Sequence, residues 1–167
     1  MDITATLDYI ISRKNLKNKK IGLYGFSLGG SAGILTASKD LRIKAIVADT
    51  PFSRLYTISA DVIKRTYHLP SFPFIQLADI LYRLSFNGWI GQVSPSAAIY
   101  LISPRPILLI SSDIDEMTPL YHAKELYSQA KEPKELWIIE GAHHGITISA
   151  NTDEYYRRLL NFFNKAL

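Results

Sequence analysis

The chain has 167 residues, enough for one domain with a real core, and its 47% hydrophobic and 20% charged content is an ordinary globular balance. Its net charge is +4, and the densest basic run, residues 13–20, holds no aromatic residue to stack on a base, so no nucleic-acid partner is expected. Cysteine is absent, which excludes disulfides, thiolate metal sites and a cysteine nucleophile; with no apolar run of membrane-span length and no signal-peptide pattern, the expectation is a cytoplasmic chain without a membrane partner.

In chain order, residues 2 to about 14 place Ile3, Leu7, Ile10 and Ile11 on one helical face, an amphipathic helix that needs a sheet to lie on. A short apolar strand over 20–24 follows, then the turn Gly25-Phe26-Ser27-Leu28-Gly29, then a helix to about Lys39 opened by small residues. A serine on so sharp a strand-to-helix turn is expected to be strained, with glycines at 25 and 29 where backbone crowding forbids a Cβ. Residues 42–48 read as a second strand ending in Asp49-Thr50-Pro51, where the polar pair can cap a helix that proline starts.

From Phe52 to about Gly91 the text turns aromatic (Phe52, Tyr56, Tyr67, Phe72, Phe74, Tyr82, Phe86, Trp89) and is broken by Pro70 and Pro73. It reads as two or three helices, too long for a plain connection: a cap over a pocket, or outer packing. Residues 106–110 form the plainest buried strand, followed by the polar loop 111–117 and a helix capped by Thr118 with Pro119 in first position. A last strand over 136–139 leads into the loop 140–145, with His143 and His144. The final helix is expected from near Asn151, with Glu154 completing a capping box and Tyr156, Leu159, Leu160 and Phe163 facing inward.

Strands alternating with helices imply parallel pairing, so all four strand ends lie on one edge of the sheet, where ligands bind in such folds. That rim receives Ser27, Asp49, the Asp113/Asp115 loop and the His143/His144 loop. A serine hydroxyl becomes a nucleophile when a base takes its proton and an acid orients that base. Spacing alone leaves Asp49, Asp113 and Asp115 open as the acid and His143 and His144 as the base. His68 and His122 fall in or near helices and read as surface residues. The paired histidines also suggest zinc, but no nearby third ligand supports it, so neither metal nor cofactor is expected.

The sequence resembles the α/β-hydrolases of the esterase and prolyl-oligopeptidase-like group over nearly its whole length. Gly25-Phe26-Ser27-Leu28-Gly29-Gly30 is similar to that family's nucleophile elbow, and the order Ser, Asp, His is the family's order. The stretch 105–110 followed by Asp115-Glu116-Met117-Thr118-Pro119 resembles its acid loop, and Gly141-Ala142-His143-His144 resembles its histidine loop. The resemblance implies Ser27 as nucleophile, Asp115 as acid in preference to Asp113 or Asp49, and His144 as base in preference to His143. It also implies the Leu28 N–H as an oxyanion donor, with Phe26 flanking the substrate, and a small ester or acyl compound as substrate. The implied fold is a three-layer α/β/α domain over 1–167 with a mainly parallel sheet and a cap-like insertion at about 52–91.

Full members of the family build half of their sheet, and the loop bearing a second oxyanion donor, ahead of the serine strand. Here the match begins at the helix before that strand, so an α/β-hydrolase fold without its N-terminal strands is expected, with activity reduced accordingly. The serine strand then becomes a sheet edge, which a symmetric second copy, the chain's own helices or a longer chain would cover. A silent hydrolase-like module and a serine peptidase are the alternative readings.

Overall fold

The strands Ile21–Phe26 (β1), Ile43–Asp49 (β2), Ile107–Ser112 (β3) and Lys134–Ile139 (β4) lie side by side in that order, and every neighbouring pair is parallel. The computed structural model describes residues 3–16, 19–150 and 152–167. Asp2, Lys17, Asn18 and Asn151, the residue expected to begin the final helix, lie outside the described residues. The helices are α1 (Ile3–Ser12), α2 (Leu28–Ala37), α3 (Leu55–Tyr67), α4 (Ser71–Phe86), α5 (Tyr121–Gln129), α6 (Thr147–Ala150) and α7 (Thr152–Ala166).

Side chains alternate across each strand, and the two faces of the sheet collect different partners. Ile46 and Ala48 of β2 and Ile107 and Leu109 of β3 pack with Leu7 of α1, Ile34 and Ala37 of α2 and Leu126 of α5. Ala45, Val47, Leu108 and Ile110 face the other way, onto Tyr155 and Phe162 of α7. With both faces covered, β2 and β3 read as nearly continuous apolar runs. The layers are therefore helix, sheet, helix. Arg105 closes the bottom of this arrangement: its guanidinium donates to the carbonyls of Ala37 (2.7 Å) at the end of α2, Asp40 (3.0 Å) in the connection and Ile43 (2.9 Å) at the start of β2.

Three expectations are corrected. The Asp49-Thr50-Pro51 segment starts no helix; α3 begins at Leu55, and Asp49 is wholly buried. The helix after the acid loop begins at Tyr121 rather than Pro119: Pro119 closes a single turn with the His122 N–H ahead of it, and the Thr118 hydroxyl lies toward His144 instead of capping a helix. On α7 the buried residues are Tyr155 and Phe162, with Leu159 and Phe163 packed beside them, while Tyr156 and Leu160 are exposed.

The 52–91 stretch forms the pair α3 and α4, which pack on each other. Phe52 is buried, whereas Tyr56, Tyr67, Phe72, Phe86 and Trp89 are exposed, so most of these rings are not core. The pair is joined to the body by polar contacts. Asp61 accepts from the Tyr121 hydroxyl, and Arg65 donates to the carbonyl of Glu116.

Candidate active site

Phe26 ends β1 and Leu28 opens α2, so Ser27 alone reverses the chain, at φ 51° and ψ −118°. An L-residue enters that region only under strain. The Ser27 N–H donates to the Asp49 carbonyl at 2.7 Å, and the Ser27 carbonyl accepts from Ser31 N–H at 3.1 Å, which hold the turn from both sides. Gly25 is required: a Cβ there would lie 2.4 Å from the carbonyl oxygen of Gly29. The matching expectation for Gly29 is corrected. A Cβ on Gly29 meets open space, and the second crowded position is Gly30, 2.9 Å from the Gly25 oxygen.

The Ser27 Oγ lies 3.1 Å from His144 Nε2, and His144 Nδ1 lies 2.7 Å from Asp115 Oδ2. The Asp115 side chain is fully buried and that of His144 is 15% exposed, so water has limited access to the bond between them. Asp115 also accepts the N–H groups of Met117 (2.8 Å) and Thr118 (2.7 Å) on its other oxygen, leaving Oδ2 to the imidazole. Phe26 packs on the His144 ring at 5.2 Å between centroids. Leu28, the first residue of α2, is exposed beside Ser27, and its N–H belongs to the helix's N-terminal turn.

The rivals have other partners. The Asp113 Oδ1 accepts the neighbouring Ser112 hydroxyl at 3.3 Å and the Gly141 N–H at 2.8 Å, and so bridges to the histidine loop. His143 sits in solvent, 3.0 Å from Glu116, and this bond holds the Glu116 carboxyl below its usual range. His68 is exposed at the end of α3. His122 is a correction: it is completely buried, not on the surface, with Nδ1 2.8 Å from Ser53 Oγ and Nε2 3.4 Å from Asp61. Burial pushes its imidazole toward the neutral form. Among the described residues no group of three or more His, Cys, Asp or Glu is arranged to hold a metal ion.

Sequence reasoning missed the Thr118 hydroxyl, and it placed Asp49 on the rim without its partners. The Thr118 hydroxyl approaches His144 Nδ1 at 3.5 Å, and Asp49 binds Tyr155, Thr147 and Tyr24 through one oxygen. For Asp49 a signal was present: a carboxylate directly ending an apolar strand has a buried neighbourhood and needs donors.

Comparison with known proteins assigns the chain to a family. The profile of the prolyl oligopeptidase family, Peptidase S9, matches residues 1–167. The chain belongs to that family. Relatives of this prolyl oligopeptidase family chain include the uncharacterized protein YqkD of Bacillus subtilis, 31% identical over 89% of this chain and 51% of its own length. Another is the alpha/beta hydrolase domain-containing protein WAV2 of Arabidopsis thaliana, 25% identical over 98% and 53%. The chain thus spans about half the length of the curated relatives it matches.

Among solved structures, the esterase Pf2001 of Pyrococcus furiosus superposes with a TM-score of 0.72 at 24% identity, over 98% of this chain and 60% of that one. The acylaminoacyl peptidase of Pyrococcus horikoshii gives 0.74 at 21%, over 99% and 27%. At such identities these likenesses establish the fold: an α/β-hydrolase fold, matched over part of the longer chains. Within it, a hydroxyl, an imidazole and a buried carboxylate in hydrogen-bonded sequence have the connectivity needed to pass a proton from oxygen to nitrogen and steady the resulting charge.

Proposed function

We propose that this chain is a serine hydrolase that cleaves ester-type bonds through an acyl-enzyme, with Ser27, His144 and Asp115 as its catalytic triad. The observation that carries the reading is the run from Ser27 Oγ through His144 to Asp115 at 3.1 and 2.7 Å. In this mechanism Ser27 Oγ bonds to the acyl carbon while His144 Nε2 takes its proton. The imidazolium then returns that proton to the departing alcohol oxygen. Water repeats the sequence to free the acid and restore Ser27. Asp115 accepts the Nδ1–H, fixing the tautomer that leaves Nε2 able to take a proton. The Leu28 N–H serves as an oxyanion donor at the start of α2, and a second donor is worth about 100- to 1000-fold in rate. Phe26, against the imidazole, borders the substrate.

A fluorophosphonate probe tests the reading. Labelling at Ser27 that disappears in Ser27→Ala and His144→Ala supports it, together with hydrolysis of p-nitrophenyl acetate. Folded protein that neither labels nor hydrolyses points to a catalytically silent module instead. The family name and the Pyrococcus horikoshii peptidase favour a peptide bond as the second substrate class. Cleavage of acyl-amino acid p-nitroanilides in preference to esters would select it.

A further inference from the structure

We infer that Asp49 is a positioning residue for His144, a buried carboxylate that ties the histidine loop to the serine turn and adds a second negative charge within reach of the imidazole. The inference rests on the proposed role of His144 as the base.

Asp49 touches both halves of the site. Its backbone carbonyl holds the Ser27 N–H at 2.7 Å. Its Oδ2 accepts from the hydroxyls of Thr147 (2.8 Å), three residues beyond His144, and of Tyr155 on α7 (2.5 Å), with the Tyr24 hydroxyl of β1 at 3.4 Å. A shift of β2 relative to the histidine loop would break bonds at both ends, so the two reacting side chains share one anchor.

The bonding pattern also bears on the charge. Hydroxyl donors gather on Oδ2, and the bond from Tyr155 has the length of a charge-assisted one. Oδ1 is buried and has no partner, so a proton placed there would be a donor without an acceptor. Burial pushes the Asp49 carboxyl above its usual range, and the hydroxyls of Tyr155, Thr147 and Tyr24, then the charge on His144, oppose that push and favour the anion. Coupling between two sites is reciprocal: if a protonated His144 favours the Asp49 anion, that anion favours the imidazolium equally. The imidazolium is the species that forms when Ser27 gives up its proton.

The groups facing the pair from each packed element are few. Tyr24 of β1, Thr147 of α6 and Tyr155 of α7 face Asp49; Ser27, Asp115 and Glu116 face or act on His144, and His143 is paired with Glu116. Tyr155 and Tyr24 are driven further from ionisation, chiefly by burial, so they remain donors across the working range.

The test compares the parent with Asp49→Asn, which keeps an acceptor for Tyr155 and Thr147 and removes the charge. Its kcat/KM for p-nitrophenyl acetate should fall about tenfold, the scale of one charge acting across a partly buried gap. The acid limb of its pH profile should move to lower pH. NMR titration of the His144 ring protons, which needs no activity, should move the same way. Tyr155→Phe removes one bond that holds the carboxylate ionised and should shift both readouts in the same direction by less; it decides the matter alone if Asp49→Asn fails to fold. A merely structural Asp49 would lower the rate and leave both titrations in place. Unmoved titrations in folded variants would overturn the inference. If the parent protein neither labels nor hydrolyses, the serine-hydrolase reading fails, and the NMR titration still decides the coupling of Asp49 to His144.

Discussion

The Asp113 carboxylate accepts the Gly141 N–H at 2.8 Å, so the loop after β3 and the loop after β4 are fastened to each other two residues ahead of Asp115 and three ahead of His144. The two aspartates of the loop have divided the work: Asp113 spaces the loops, and Asp115 bonds the imidazole. Asp115→Asn should lower kcat by about 10⁴-fold, because an amide at Oδ2 favours the wrong tautomer of His144. Asp113→Ala should cost only about tenfold through the loosened spacing and should leave fluorophosphonate labelling of Ser27 visible. Steady-state ester hydrolysis by the two variants separates the roles, and equal losses would contradict the division.

Gly25 and Gly29 frame the same serine but differ in what surrounds them. Gly25→Ala forces a Cβ to within 2.4 Å of a backbone oxygen that cannot move without unwinding the start of α2. A loss of about 3 kcal/mol or more is expected. Gly29→Ala meets open space on a helix and should be neutral or stabilise by up to about 1 kcal/mol. Urea unfolding of both variants checks the contrast.

Arg105 gathers three carbonyls from the end of α2 and the start of β2. Arg105→Ala leaves them to compete for water in a half-buried corner and should destabilise by about 3 kcal/mol. Arg105→Lys, a single point charge without the planar fork, should recover only part of this. Denaturant midpoints at constant m-value give the measurement.

His122 predicts a pH effect on stability. Burial depresses its folded-state proton affinity even though Asp61, Glu125 and Asp115 all favour the charged form. The unfolded chain therefore binds the extra proton, and His122 contributes stability above about pH 6.5 that is lost as pH falls below it. Thermal unfolding of the parent should fall more steeply between pH 7 and pH 5 than that of His122→Gln.

Parts of this molecule were legible in the sequence for physical reasons that act locally. The four strands are short apolar runs, and the turn at Ser27 needs glycine at position 25 whatever packs around it. Less legible was anything set by tertiary partners. Asp49 reads as a helix cap because Asp-Thr-Pro is good capping chemistry; the structure instead surrounds it with hydroxyls from β1, α6 and α7, elements distant in sequence. His122 looks like one more polar residue on an amphipathic helix until Ser53 comes into contact with it. On α7 the stripe drawn through Tyr156 and Leu160 misses Tyr155, whose hydroxyl finds an acceptor inside and so lets the ring go in.

The strand that leads into Ser27 pairs on one flank only, with β2, and among the described residues no strand pairs with its other flank. Its outward amides are thus not locked in a ladder, whereas those of β2 and β3 lie between neighbours on both sides. Deuterium uptake should begin at β1 well before it reaches β3, and the serine's alignment would then be set by how often that margin breathes. Anything that clasps that unpaired flank would tune the Ser27 hydroxyl without coming near it.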